Sequence, residues 1–373
     1  MIVTIPRIKR LMLWIQDLYN LDKTIVLALL ALCTINLFVQ FSANDRSVSK
    51  LISDASYLAG SFVILFIIAN LNISRIKNSA PLLYIISLIL LVTVIFIGIK
   101  IHGAKRWLNL GIRFQPSELA KLAVPLMLAY YFDLIKHKFG VITKIHFLIA
   151  FLLILIPFGL IIKQPDLGTG ILVFCAGFFI LFFAGLSWRI MLICLFIFLI
   201  STPVIWHFLH DYQQHRILTL INPQSDPLGK GYHIIQGIIA IGSGGLFGKG
   251  YLHGTQIHLD FIPEKNTDFV MCVLAEEFGF IGVAAVLILY LILVIRGLYI
   301  MEHAQSLFGQ LIAGSISLSL LLYVTVNAGM VAGIFPVVGV PLPLISYGGT
   351  ATIVLMIGFA ILLAIAKNNK YTD

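Results

Sequence analysis

The ionisable residues embedded in apolar stretches are the ones with chemistry to offer. Asp268 follows Thr267 and opens a long apolar run. With Thr267 as N-cap, Asp268 reads as a carboxylate at a helix N-terminus. There it either complements the helix dipole or acts as a general base at a water–lipid boundary. Glu276 and Glu277 follow about two to three turns deeper. Being consecutive, they point about 100° apart on a helix, and a buried ion pair or an interhelical polar contact accounts for them as well as a reaction does. Glu118 and Lys121 are three apart and share one face of another apolar run, as an internal ion pair or as part of a site. Basic residues gather in two other places. One is 100–115, with Lys100, His102, Lys105, Arg106 and Arg113; the other is 210–267, with Arg216, Lys230, Lys249 and Lys265. Lys and Arg hold phosphate through charge-assisted hydrogen bonds, so Lys105, Arg106, Arg216 and Lys249 form an expected phosphate site, the bland reading being solvated surface charges. Gly242, Gly244, Gly245, Gly248 and Gly250 could add backbone N–H groups to the same phosphates. Trp107 beside Arg106 is either an interfacial anchor or a site residue. The cysteines Cys33, Cys175, Cys194 and Cys272 form no C-x-x-C pair and lie near no His at metal-ligand spacing, and they read as small buried apolar residues. No G-x-S-x-G, H-E-x-x-H or dinucleotide-binding pattern is present.

These groups must be held by a membrane domain. The chain has 373 residues, 60% apolar and 11% charged, against about 45–50% and about 25% in soluble domains. Its mean hydropathy is +1.03. That leaves too little polar surface for a water-soluble globule and implies an all-α polytopic membrane protein. Its net charge of +9 is spread over short segments with no basic block, so nucleic acid is not an expected partner. Ten runs are long enough to span, at 24–42, 55–71, 81–99, 116–132, 145–162, 167–186, 190–209, 268–295, 306–330 and 344–366. An even count puts both termini on one side. The N-terminal basic cluster and the wholly basic short loops put that side in the cytoplasm. The chain then divides into an amphipathic surface segment 1–23, a single membrane domain 24–366 and a cytoplasmic tail 367–373. Between the seventh and eighth spans, 210–267 forms a large outer loop whose middle, 232–241, is apolar enough to lie on or dip into the bilayer. The stretch 336–349, with Pro336, Gly339, Pro341, Pro343, Gly348 and Gly349, cannot be regular helix. Irregular backbone at membrane depth must be buried in protein or line a cavity.

Several ordered motifs resemble the SEDS family. Gly103-Ala104-Lys105-Arg106-Trp107-Leu108 and Phe114-Gln115-Pro116-Ser117-Glu118 are similar to its first outer loop and fourth helix, and Gln164-Pro165-Asp166-Leu167-Gly168 to its next outer turn. Gly231 to Gln236, Ile241 to Gly245, Gly248 to Gly250 and Pro263 to Phe269 resemble its large loop, and Gly339 to Pro343 with Ser346 to Gly349 the approach to its last helix. Gly250 to Gln256 resembles the elongation branch of the family rather than the division branch, while Gly237-Ile238 departs from that branch's Ser-Lys. The resemblance implies a peptidoglycan glycosyltransferase of cell elongation in the bacterial inner membrane. It would polymerise lipid II on the periplasmic face by an inverting displacement that releases undecaprenyl diphosphate from the lipid-linked glycan. It implies Asp268 as the essential loop aspartate, and Trp107 and Glu118 as further motif positions. Lys105, Arg106, Lys121, Arg216 and Lys249 are then expected at the substrate, with no dedicated metal ligands. A divalent cation, Mg or Mn, would sit mainly on the diphosphate. The implied partners are a class B penicillin-binding protein transpeptidase and other elongation-complex membrane proteins. Two other readings suit intramembrane charges and broken helices: a lipid II flippase and a non-catalytic scaffold of wall synthesis.

Overall fold

Side-chain oxygens start several of the long helices where the apolar runs begin. Asp22 accepts from the Ile25 N–H at 3.2 Å, Asn72 from Ser74 at 2.9 Å, Asp166 from Thr169 at 3.4 Å and Ser306 from Gly309 at 3.1 Å, each occupying a donor the helix itself leaves open. The computed structural model describes residues 21–370 except 102–103, 110–112, 209–210, 227–228, 260 and 263. The surface segment expected over 1–23 lies almost wholly outside these residues. The helices they start or continue are α1 (Lys23–Ala43), α2 (Val48–Ala69), α3 (Ile73–Ile97), α4 (Pro116–Phe139), α5 (Lys144–Ile162), α6 (Leu167–Phe183) and α7 (Trp188–Phe208). The loop then holds α8 (Asp211–Ile221), a 3-10 turn (Pro223–Ser225), α9 (Lys230–Gly244) and α10 (Thr255–His258). The chain ends in α11 (Val270–His303), α12 (Leu307–Val331) and α13 (Gly349–Lys370). Among the described residues, α1, α2, α3, α5, α11, α12 and α13 are the seven helices long and apolar enough to cross a membrane. Each of the other three expected spans also coincides with a helix. α6 is apolar but only 17 residues long, α4 carries Glu118, Lys121 and Asp133, and α7 is apolar over 21 residues. A multi-pass all-α membrane fold follows.

The packing follows from which faces are apolar on both sides. α12 lies against α11, α6 and α4; α13 against α2; and α11 against α1 and α9. Phe132, Phe269, Phe308 and Phe359 are fully buried where these helices meet. At one end of the bundle, ion pairs tie helix termini. Arg296 Nη2 lies 2.7 Å from Asp22 Oδ2, and Lys77 pairs with Asp133, whose Oδ1 accepts from the Phe308 N–H at 3.3 Å. At the other end, α3 runs into a small antiparallel sheet, β1 (Ile99–Ile101), β2 (Ala104–Asn109) and β3 (Arg113–Phe114), in the order β1-β2-β3. Trp107 stands opposite Ile99, and Leu108 opposite Phe114. That end also carries the turn 164–168, the outer loop, the turn into α11 and the irregular stretch 332–348, so the motif residues gather there.

The long helix α11 is two segments. Gly279 has φ 66° and ψ −165°, a break inside it. The turn 245–250 lies against the break: Phe280 N–H donates to the Gly245 carbonyl at 2.9 Å and Ile281 to Leu246 at 3.2 Å, while Lys249 and Gly250 donate to the Glu276 and Glu277 carbonyls at 2.9 and 3.1 Å. A Cβ on Gly279 would stand 2.3 Å from the Gly248 nitrogen, and one on Gly248 would stand 2.1 Å from the Glu277 oxygen. Close backbone approach thus explains these glycines; of the N–H groups the sequence suggested for phosphate, that of Gly250 donates to the kinked helix and that of Gly248 to the Gly244 carbonyl.

Candidate active site

Asp268 lies in the turn before α11 and not within it, because the helix begins at Val270 with Phe269 as its N-cap. Thr267 caps nothing; its hydroxyl donates to Glu264 Oε2 at 2.8 Å. The turn is fastened to the stretch 339–348. Asn327, fully buried on α12, donates from Nδ2 to the Asp268 carbonyl at 2.9 Å and to the Val340 carbonyl at 2.7 Å. Ser346 Oγ donates to the Thr267 carbonyl at 2.5 Å and accepts from the Leu342 N–H at 2.7 Å. Tyr347 N–H donates to the Asn266 carbonyl at 2.9 Å. From α1, Gln40 bridges the Asn266 and Ile345 carbonyls at 2.9 and 2.8 Å, and Asn36 the Leu344 and Ile345 carbonyls at 2.8 and 3.0 Å. These amide and hydroxyl donors satisfy carbonyls that irregular backbone at membrane depth would otherwise leave bare. Gly339, at φ 77°, supplies the floor under the carboxylate: a Cβ there would stand 3.2 Å from Asp268 Oδ2.

The residues that follow Gly339 line an open cavity between α4, α12 and α13, bordered by Glu118, Lys121, Tyr323, Leu342, Tyr347 and Phe359 among others. Glu118 and Lys121 face each other in it, Nζ to Oε1 2.6 Å, with side chains only 8% and 11% exposed. Lys121 Nζ also stands 5.2 Å from the centre of the Tyr323 ring. Gln115, Arg106 and the turn 164–168 complete this end. Arg106 donates to the Pro165 and Gln164 carbonyls and lies 3.7 Å from Asp166 Oδ1. Gln115 donates to Asp166 Oδ2 at 3.0 Å, and a Cβ on Gly168 would meet the Val338 carbonyl at 2.8 Å.

The structure therefore brings Asp268 and the Glu118–Lys121 pair to neighbouring parts of one loop and ties Arg106 to that loop through the turn. Trp107 is half-buried on β2, and Lys105 beside it is exposed. Lys249 is elsewhere. Its Nζ lies 2.6 Å from Glu276 Oε1 and 2.7 Å from Thr255 Oγ1, and Glu276 is fully buried and also accepts from the Gln256 N–H at 3.0 Å. Glu277 accepts from Ser42, with His258 Nε2 3.7 Å away. The two glutamates thus fasten the outer loop and α1 to α11, as the structural reading of them held. Arg216 lies half-buried on α8. Asn327, Tyr323, Asn36 and Gln40 are absent from the sequence-based set. Their signal is a hydrogen-bonding side chain within an apolar run. Among the described residues no group of three or more His, Cys, Asp or Glu is arranged to hold a metal ion.

Residues 16–371 match the family described as Cell cycle protein, FtsW/RodA/SpoVE. The chain is 49% identical over 356 residues to peptidoglycan glycosyltransferase MrdB of Escherichia coli K12, covering 95% of each. It superposes with TM-score 0.82 and 31% identity on a chain of a structure described as "Structural coordination of polymerization and crosslinking by a peptidoglycan synthase complex", covering 95% of this chain and 99% of that one. Against a crystal structure of the Thermus thermophilus rod shape determining protein RodA, the TM-score is 0.70 at 29% identity, over 94% and 97% of the two chains.

Proposed function

The chain belongs to the FtsW/RodA/SpoVE family of cell cycle proteins and is a peptidoglycan glycosyltransferase, and we propose that it polymerises lipid II with Asp268 as general base. The observation that carries this is the shared loop: 339–348 supports the Asp268 carboxylate at Gly339 and lines the cavity holding Glu118 and Lys121 with its next residues. An acceptor hydroxyl at Asp268 and an anionic leaving group beside Lys121 would then lie on one path. Asp268 takes the proton of the acceptor GlcNAc 4-hydroxyl as its oxygen attacks the anomeric carbon of the donor MurNAc. The bond from that carbon to the diphosphate oxygen breaks, undecaprenyl diphosphate departs, and the α-linked donor becomes a β-linked product. Lys121, with Lys105 and Arg216, steadies the diphosphate charge. Arg106, already engaged with the turn 164–166, holds a wall of the site, and Lys249, paired with Glu276, holds the outer loop to α11. Glu118 orients Lys121, and Trp107 borders the sugar path. The transport and scaffold readings give way to the enzyme, given the chain's identity with a named glycosyltransferase.

The protein is a multi-pass membrane protein. We place both termini in the cytoplasm and the Asp268 end in the periplasm, supported by the N-terminal basic cluster and the wholly basic short loops of the opposite end. The likeness to a chain of a synthase complex supports a class B penicillin-binding protein as partner, supplying the crosslinks. Purified protein given lipid II should form glycan strands with one undecaprenyl diphosphate released per disaccharide added. Intact lipid II after incubation, with the partner present, contradicts the proposal.

A further inference from the structure

We propose that Asn327 is a positioning residue for the reaction: its side-chain amide clamps the Asp268 peptide to Val340 and so fixes the carboxylate over Gly339. This rests on the reading of Asp268 as the base. Both atoms within reach of Asn327 Nδ2 are carbonyl oxygens, at 2.9 and 2.7 Å, so the amide can lie only with its NH₂ toward them. Its two N–H groups are thereby used, one on each of two segments separated in sequence by most of α11 and α12. The residue is fully buried on a helix packed on three sides, which gives the clamp a rigid base. Its Oδ1 is buried with no hydrogen-bond partner. A polar atom left bare in this way is costly, and a group serving packing alone would be better apolar. The two donors are therefore what the residue is for.

The consequence is geometric. A Cβ on Gly339 would stand 3.2 Å from Asp268 Oδ2, and Val340 is the next residue along. Fixing the Val340 carbonyl against the Asp268 carbonyl sets the height of the carboxylate over its floor. Tyr84 on α3 provides the control. It is buried and its hydroxyl donates to the Leu153 carbonyl on α5 at 2.8 Å, a hydrogen bond between helices that touches neither the Asp268 turn nor the stretch 339–348.

The test compares Asn327→Leu, Asn327→Gln and Tyr84→Phe in the full-length protein with lipid II, reading kcat, KM and the thermal midpoint in detergent. A displacement of about 1 Å at a reacting group costs on the order of 10²-fold. Asn327→Leu should therefore lose about 10- to 100-fold in kcat per folded molecule, with KM within about threefold of the parent. Asn327→Gln keeps both donors one methylene further out. It guards against a Leu variant that does not fold, and it should lose kcat by a smaller factor. Tyr84→Phe, which removes a buried hydrogen bond away from the site, should lower the thermal midpoint while leaving kcat within about threefold. Parental kcat in both Asn327 variants overturns the proposal, and so does an equal kcat loss in Tyr84→Phe. Asp268→Asn separates the two levels: if it is silent while the Asn327 variants are normal, the Asn327 role alone falls; if it polymerises normally, the reading of Asp268 falls first.

Discussion

Replacing Lys121 with methionine separates architecture from chemistry at the cavity. The pair it forms with Glu118 is short, 2.6 Å, and both side chains are nearly enclosed, at 11% and 8% exposed. Methionine keeps the length of the arm and removes the charge, leaving the Glu118 carboxylate buried opposite a thioether. Breaking one side of a buried pair costs about 3–5 kcal/mol, whereas removing both charges with shapes preserved is often close to neutral. Lys121→Met should therefore destabilise by about that amount, and Glu118→Gln/Lys121→Met should return to within about 1 kcal/mol of the parent. Activity should follow the opposite pattern. The double variant, though folded, lacks the cation beside the departing diphosphate, and loss of one such electrostatic contact costs about 10²–10³-fold in turnover. Denaturant unfolding in detergent and strand synthesis from lipid II, on the same preparations, read both quantities. If the single variant is as stable as the parent, the enclosed pair is misjudged. If the double variant polymerises normally, Lys121 is scaffold and the leaving group is held elsewhere.

Lys249→Met strands the fully buried Glu276 and should loosen the outer loop, read as faster hydrogen exchange at 249–258; adding Glu276→Gln should restore protection, which a solvated Lys249 would not require. Gly279→Ala forces a side chain into the positive-φ extended conformation that glycine alone adopts readily, about 1–3 kcal/mol in itself, and sets a Cβ 2.3 Å from the Gly248 nitrogen; a thermal midpoint equal to the parent's would refute the close approach. A cysteine at Leu259, 64% exposed, in a background without other cysteines should react with an impermeant thiol reagent in intact spheroplasts, and labelling only after lysis would reverse the proposed orientation.

Sequence periodicity located the helices well because apolar runs of spanning length admit few other structures. Their ends were less legible. The run assigned to 81–99 forms a helix from Ile73, since Asn72 caps it and Pro81 is accommodated inside, and the run from 268 begins its helix two residues later. Asp268, Glu118 and Lys121 stood out because charge is scarce in such a chain. Their sharing of one loop did not, because that depends on contacts between segments far apart in sequence. Lys249 and Glu276 are 27 residues apart, and nothing local distinguishes a lysine that will meet a buried glutamate from one that will meet phosphate. The glycines at 244–250 carry the same ambiguity: a turn that cradles an anion and a turn pressed on a kinked helix both need the Cβ absent. Asn327 shows as one polar residue in an apolar run, which marks it as used without saying by what.

The most direct measurement is strand synthesis by Asp268→Asn. Asparagine keeps the size of the side chain and leaves the Asp268 backbone carbonyl free to accept from Asn327, while removing the proton acceptor. Loss of a general base costs about 10²–10⁴-fold. The account predicts protein that inserts, melts at the parental temperature, associates with its transpeptidase partner and makes essentially no glycan from lipid II. Near-parental strand synthesis by that same folded protein would contradict it.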